Sequence, residues 1–293
     1  MIAAKSRSAH SNLLALFGAV AVIVIFSLSI HVVMLQVFWV PYPYPKGLGR
    51  LGLLYPLAKS VGLIALAATA LPWLNRFHTA ARGPIIGILF AAMNGIVRNA
   101  IMPGFVTTDF GGAVAGFIQE ALLDLTLGAL AVVAVTIIRN TALRVVTALV
   151  LTALSIFILN PSLASLLTPV IAWSEKHTHA DVYLVPYGAN VLVPSYLLFA
   201  ETVIACLVAR FVVTFRNAMW DQTGLIRYVA LVLFVRGTIA IMFGWGPVIG
   251  MLSVSQFFFQ DLVMALLIHV TWARFTRYHS AVCAPVFTHG PIE

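Results

Sequence analysis

The stretch GFIQEALLDLTLGALAVVAVTII, residues 116–138, decides the fold class. It contains no proline, and as a helix it spans roughly 35 Å at about 1.5 Å per residue. That is enough to cross a hydrocarbon core about 30 Å thick. Yet it carries Gln119, Glu120 and, one turn on, Asp124. Ionisable groups in hydrocarbon are costly, so they face a bundle interior or a wet cavity. A second stretch, SQFFFQDLVMALLIHVTWARF (255–275), repeats the pattern with Gln260 and Asp261.

The rest of the chain agrees. It is 61% hydrophobic and 9% charged, with mean hydropathy +1.02. A soluble domain carries about 25% charged residues. The composition predicts an all-α integral membrane protein with the lipid bilayer as its solvent. Eight apolar segments are long enough to be spans: 13–39, 51–74, 84–105, 110–138, 143–160, 190–213, 226–245 and 252–274. The fifth has an alternative extent through 161–172, and PSLASLLTPVIAW is alternatively a surface helix. The first apolar run exceeds the roughly 7–15 residues of a signal-peptide core, so it is read as a retained span.

The net charge of +8 and pI near 9.9 invite a nucleic-acid reading. The positions of the charges exclude it. With eight spans, eleven Lys and Arg flank one side, from Lys5 and Arg7 through Arg139 and Arg144 to Arg274 and Arg277. Only Lys46, Arg50 and Lys176 flank the other. Basic residues concentrate on the cytoplasmic side. The expected location is therefore a bacterial-type inner (plasma) membrane, with both termini cytoplasmic. The two cysteines, Cys206 and Cys283, stand in no disulfide or metal spacing.

The chain also resembles itself. LSI recurs at 28–30 and 154–156, and VPY at 40–42 and 185–187. LAKS with Lys59 answers FAET with Glu201, VRN with Arg98 answers VRG with Arg236, and FIQE answers FFQD. The expected organisation is a first four-helix repeat over 1–142 and a second over 143–275. The second includes an extra outer loop at 161–189, and a cytoplasmic tail follows at 276–293. Repeats with an even number of spans run parallel, related by an axis along the membrane normal.

Counting from span ends at about 1.5 Å per residue places Lys59, Arg98, Glu120, Glu201, Arg236 and Asp261 in one layer, with Asp124 a turn deeper. Arginine binds carboxylate through two parallel hydrogen bonds. The expected pairs are Arg98 with Glu120 and Arg236 with Asp261, with Gln119 and Gln260 completing their hydrogen bonds. Lys59 and Glu201 are expected to pair across the pseudo-two-fold axis. Three cations then face four carboxylates. Asp124, whose counterpart is Ala265, is the one left to hold a proton or a cation. These nine residues form the candidate substrate or ion path.

In EKHTHAD, alternate positions place His177, His179 and Asp181 on one face of an extended segment, a candidate outer-side zinc or copper site. His31 and His269 fall at unequal depths, which disfavours a bis-histidine haem. No phosphate loop, HExxH or GxSxG motif is present. The leading expectation is a small-solute transporter or channel with a proton- or cation-linked polar layer at the repeat interface. The alternatives are a non-transporting subunit that anchors a larger complex, as a membrane-protein partner or homo-oligomer, and a lipid-acting enzyme using the outer metal site.

Overall fold

The computed structural model describes residues 2–40, 51–106, 110–176, 187–214, 222–242 and 248–282. Among these every regular element is helical: α1 (Ile2–Gln36), α2 (Leu51–Leu74), α3 (Thr79–Met93), α4 (Ile96–Val106), α5 (Phe110–Ile137), α6 (Thr141–Leu154), α7 (Asn160–Glu175), α8 (Ala189–Thr214), α9 (Gln222–Val235), α10 (Thr238–Met242) and α11 (Val248–Val282). Six helical stretches are long and apolar enough to cross a membrane, and the bent pair α3–α4 makes a seventh. That is the architecture of a polytopic membrane protein. The seventh expected span, 226–245, instead holds most of α9 and all of α10, two short helices.

The fifth segment takes its longer form. Helix α6 continues into α7 through a π-helical turn at Ser155–Leu159. Pro161 follows at once; it has no N–H, and its ring crowds the carbonyl four residues back. The ladder widens there instead of ending. At the α5–α6 corner, the Asn140 side chain caps α6 by accepting the Ala142 N–H at 2.8 Å. Arg144 Nε donates to Ile138 O at 2.9 Å just past the end of α5, where a cation suits the negative helix terminus.

Small residues draw the helices together. A Cβ at Gly128 of α5 would stand 2.5 Å from the Gly87 Cα of α3, and one at Gly83 would meet Ala129. A Cβ at Gly62 of α2 would collide with the backbone of Phe234 and Val235 in α9. Close backbone approach of this kind holds helices together where lipid removes the hydrophobic drive.

The helix contacts come in exchanged pairs. α1 packs on α11 as α7 packs on α5, and on α8 as α6 packs on α2. α8 lies against α3 and α4, while α2 lies against α9 and α10. α5 touches α2 as α11 touches α8, and α2 and α8 touch each other at the centre.

A charged cavity at two glycine breaks

Two helical stretches break at glycine. Gly95 separates α3 from α4 with φ 70°, and Gly237 separates α9 from α10 with φ 69°. This left-handed conformation is open to glycine at little steric cost. The α3–α4 pair bends by 51°. A break frees backbone groups on both sides, and in an apolar interior each must find a partner. Charged side chains from distant helices supply two of them.

Arg236 Nη1 donates to Met93 O at 2.8 Å, at the last residue of α3. Its Nε donates to Asp261 Oδ2 at 2.7 Å. Glu201 of α8 accepts the N–H of Val97 at 3.1 Å and of Arg98 at 3.3 Å, in the first turn of α4. A cation thus sits at the negative end of α3 and an anion at the positive end of α4, the signs the helix dipole favours.

These contacts revise the expected pairing. Arg236 and Asp261 do pair. Lys59 and Glu201 do not meet, because α2 and α8 serve opposite breaks. The Lys59 ammonium lies 5.6 Å from the Tyr55 ring centre and 5.5 Å from that of Phe90. Its stem passes Gly237, while Thr202 beside Glu201 passes Gly95. Arg98 and Glu120 line one cavity without forming an ion pair, and the Lys59 charge acts on both Glu120 and Asp124. Arg98 holds its guanidinium 5.4 Å from the Phe199 ring centre, and its charge acts on His31 and Asp261. Nor do the glutamines serve their neighbours. Gln119 Nε2 donates to Asn160 Oδ1 of α7 at 2.8 Å. Gln260 is fully buried, with no hydrogen-bond partner for its amide among the described residues.

Arg98 and Arg236, expected at matching positions, stand on opposite sides of their glycines. Arg98 comes after its glycine, on α4, whereas Arg236 comes just before its own, one residue past α9. Equating the two breaks sets Asn94 opposite Arg236.

Around the breaks lies a cavity of about 730 Å³. Arg98, Glu120 and Arg236 line it, with His31, Asn94, Asn99, Tyr55, Tyr187, Ser195 and Thr238. Leu28, Val32, Val191 and Phe257 add an apolar side. Glu120 is exposed to this space, whereas Asp124 is buried behind it. Of the nine candidate path residues, three therefore reach the cavity wall directly. Sequence reasoning did not single out Asn94, Asn99, Tyr55, Tyr187, Ser195 or Thr238, which carry no charge to mark them.

No protein-family model, curated protein or solved structure matches the chain.

His177, His179 and Asp181 lie outside the described residues. Among the described residues no three His, Cys, Asp or Glu gather as a metal site. His31 stacks on Phe257 with ring centres 4.9 Å apart, and His269 is buried on α11, where the charge of Arg210 acts on it. Arg210, which the sequence places at a membrane flank, is buried 5.4 Å from the Tyr228 ring centre. Tyr228 in turn donates its hydroxyl to Cys206 O at 2.9 Å.

Proposed function

We propose that this protein carries a small polar solute across the membrane through the cavity at the two glycine breaks. The observation that carries the reading is the cavity itself: about 730 Å³ beside the two breaks of an apolar helical bundle, with two guanidiniums and a carboxylate in its wall. A purely structural ion-pair layer has no use for such a volume. Broken helices around a central site are a recurrent way to present polar backbone inside a membrane.

In this reading Arg98, Glu120 and Arg236 face the solute. Lys59 balances Glu120, and Asp261 fixes the Arg236 guanidinium. Asp124, close to Glu120 and sharing Lys59, holds a proton, so that three cations face three ionised carboxylates. The bundle comprises eight spans in two parallel repeats, with α3–α4 and α9–α10 as equivalent broken spans. The exchanged helix contacts and the paired glycine conformations support that arrangement. Both termini face the cytoplasm of a bacterial-type inner membrane, as the basic flanks suggest.

The test is uptake by proteoliposomes of a panel of labelled carboxylates, amino acids, sugars and polyols. Ser195→Cys places a thiol on the cavity wall. A bulky thiol reagent then abolishes uptake in that variant and leaves wild type unaffected. No uptake of any member above protein-free vesicles overturns the reading.

An anchoring role draws support from a different feature. In the helical stretch Thr141–Trp173 only Ala148, Leu151 and Thr152 are buried, and it turns Leu143, Val146, Leu149, Val150 and Phe157 outward. Cross-linking through a cysteine at Val150 in native membranes tests it. A discrete heterologous adduct supports a subunit role, and lipid-only labelling opposes it.

A further inference from the structure

The first turn of α4 already holds a carboxylate, and that carboxylate is tethered. Glu201 accepts two backbone N–H groups there, from Val97 and Arg98. In broken-helix carriers, half-helix N-termini are where anionic substrate groups bind. Two further observations mark the position as more than a capped end. Thr202, beside Glu201, is 1% exposed, and its hydroxyl has no hydrogen-bond partner among the described residues. That hydroxyl is aimed at the break, 2.9 Å from where a Cβ at Gly95 would stand. The cavity also reaches both sides of the break, at Asn94 and at Arg98.

We propose that the first turn of α4 is the seat for the carboxylate of a small transported solute, and that Glu201 occupies it until a proton displaces the side chain. The inference rests on the transport reading above. Binding starts when a proton from water forms an O–H bond on a Glu201 oxygen. The neutral acid accepts backbone N–H groups less well than the carboxylate does, because charge-assisted hydrogen bonds are the stronger ones. The side chain withdraws. The solute carboxylate accepts from Val97 and Arg98, and the Thr202 hydroxyl donates a third hydrogen bond. On the far side the solute leaves, Glu201 returns its proton to water and reseats.

Charge balance supports one proton per carboxylate. Around the breaks, with Asp124 protonated, Lys59, Arg98 and Arg236 balance Glu120, Glu201 and Asp261, while the buried Arg210 lies nine residues along α8 from Glu201, against Tyr228. A proton on Glu201 leaves one positive charge, which the solute carboxylate neutralises. The elements around α8 bring Arg98 on α4, Arg236 after α9, Lys59 on α2, Asp261 on α11 and His31 on α1, while Tyr228 on α9 and His269 on α11 accompany Arg210 further along α8. Of these, Arg236 acts on the Glu201 charge.

Equilibrium binding of labelled formate, acetate, lactate and benzoate to the full chain in nanodiscs tests the seat, at pH 5.5 and 7.5. Wild type should bind at least one of them with an affinity that rises about tenfold per pH unit on acidification, the signature of one linked proton. Glu201→Gln keeps an acceptor oxygen for the helix and mimics the neutral acid. It should bind equally at both pH values, at least as tightly as wild type at pH 5.5. Thr202→Val removes the hydroxyl alone, and should weaken binding about tenfold at both pH values with folding intact. It decides the matter if Glu201→Gln does not fold. Binding that ignores pH and both substitutions, or no binding of any of the four, overturns the seat. Linked binding without uptake into proteoliposomes would sink the transport reading and leave the seat standing. Uptake that ignores pH and Glu201→Gln would do the reverse.

Discussion

Arg236 and Asp261 form an ion pair at 2.7 Å in which the carboxylate is fully buried and the guanidinium 11% exposed. Because Arg236 also holds the end of α3, the pair joins three helices. Removing one partner strands the other. Asp261→Asn should destabilise the protein by about 3–5 kcal/mol, the usual cost of leaving a buried charge uncompensated. Replacing both residues by methionine should recover most of that loss in stability but not in transport. Unfolding in mixed detergent measures the first, and proteoliposome uptake the second.

The glycines make a graded prediction. Alanine at either break is strained by positive φ, at about 1–3 kcal/mol. Gly237→Ala should cost more than Gly95→Ala. Its methyl would meet the Tyr55 ring at 2.5 Å, whereas at Gly95 the nearest atom is a single hydroxyl oxygen at 2.9 Å. Thermal unfolding of the two variants checks the order.

Asp124→Asn should leave assembly and unfolding unchanged, because asparagine resembles the protonated acid. It should also leave the pH dependence of uptake intact if the transported proton rides on Glu201. Glu120→Gln should fold, since its side chain faces the cavity, yet lower uptake by removing the Glu120 carboxylate from the wall. Size-exclusion profiles and initial uptake rates distinguish the two variants.

Orientation is tested by labelling intact cells with a membrane-impermeant thiol reagent. Lys176→Cys, beyond the end of α7, should react from outside. Arg139→Cys, in the exposed α5–α6 corner, should react only after permeabilisation. The opposite pattern overturns the placement of the basic flanks on the cytoplasmic side.

The class of fold was legible because length and hydropathy act locally: an apolar run of 23 residues declares itself. The Arg236–Asp261 pair was legible because each residue is the one charge in its neighbourhood. The breaks were not. GIVRN and RGTIA read as ordinary apolar helix, and a left-handed glycine there depends on what caps the freed ends. At the α3–α4 break those caps come from Glu201 and Arg236, far off in sequence. The Lys59–Glu201 pairing failed for a related reason. Matching positions in similar segments suggested that the two meet, but α2 and α8 each lie against the other segment's broken helix.

Sequence separation at the α3–α4 break has a consequence for biosynthesis. The residues that hold its two ends follow them by 143 and 104 positions. While a ribosome is still completing α5, the carbonyl of Met93 and the amide of Val97 have none of their final partners. The nascent segment must therefore wait in the membrane as a straighter helix or shelter its open ends in the insertion machinery. Insertion of α8 and α9 then bends it, so the cavity is a product of the last stages of synthesis.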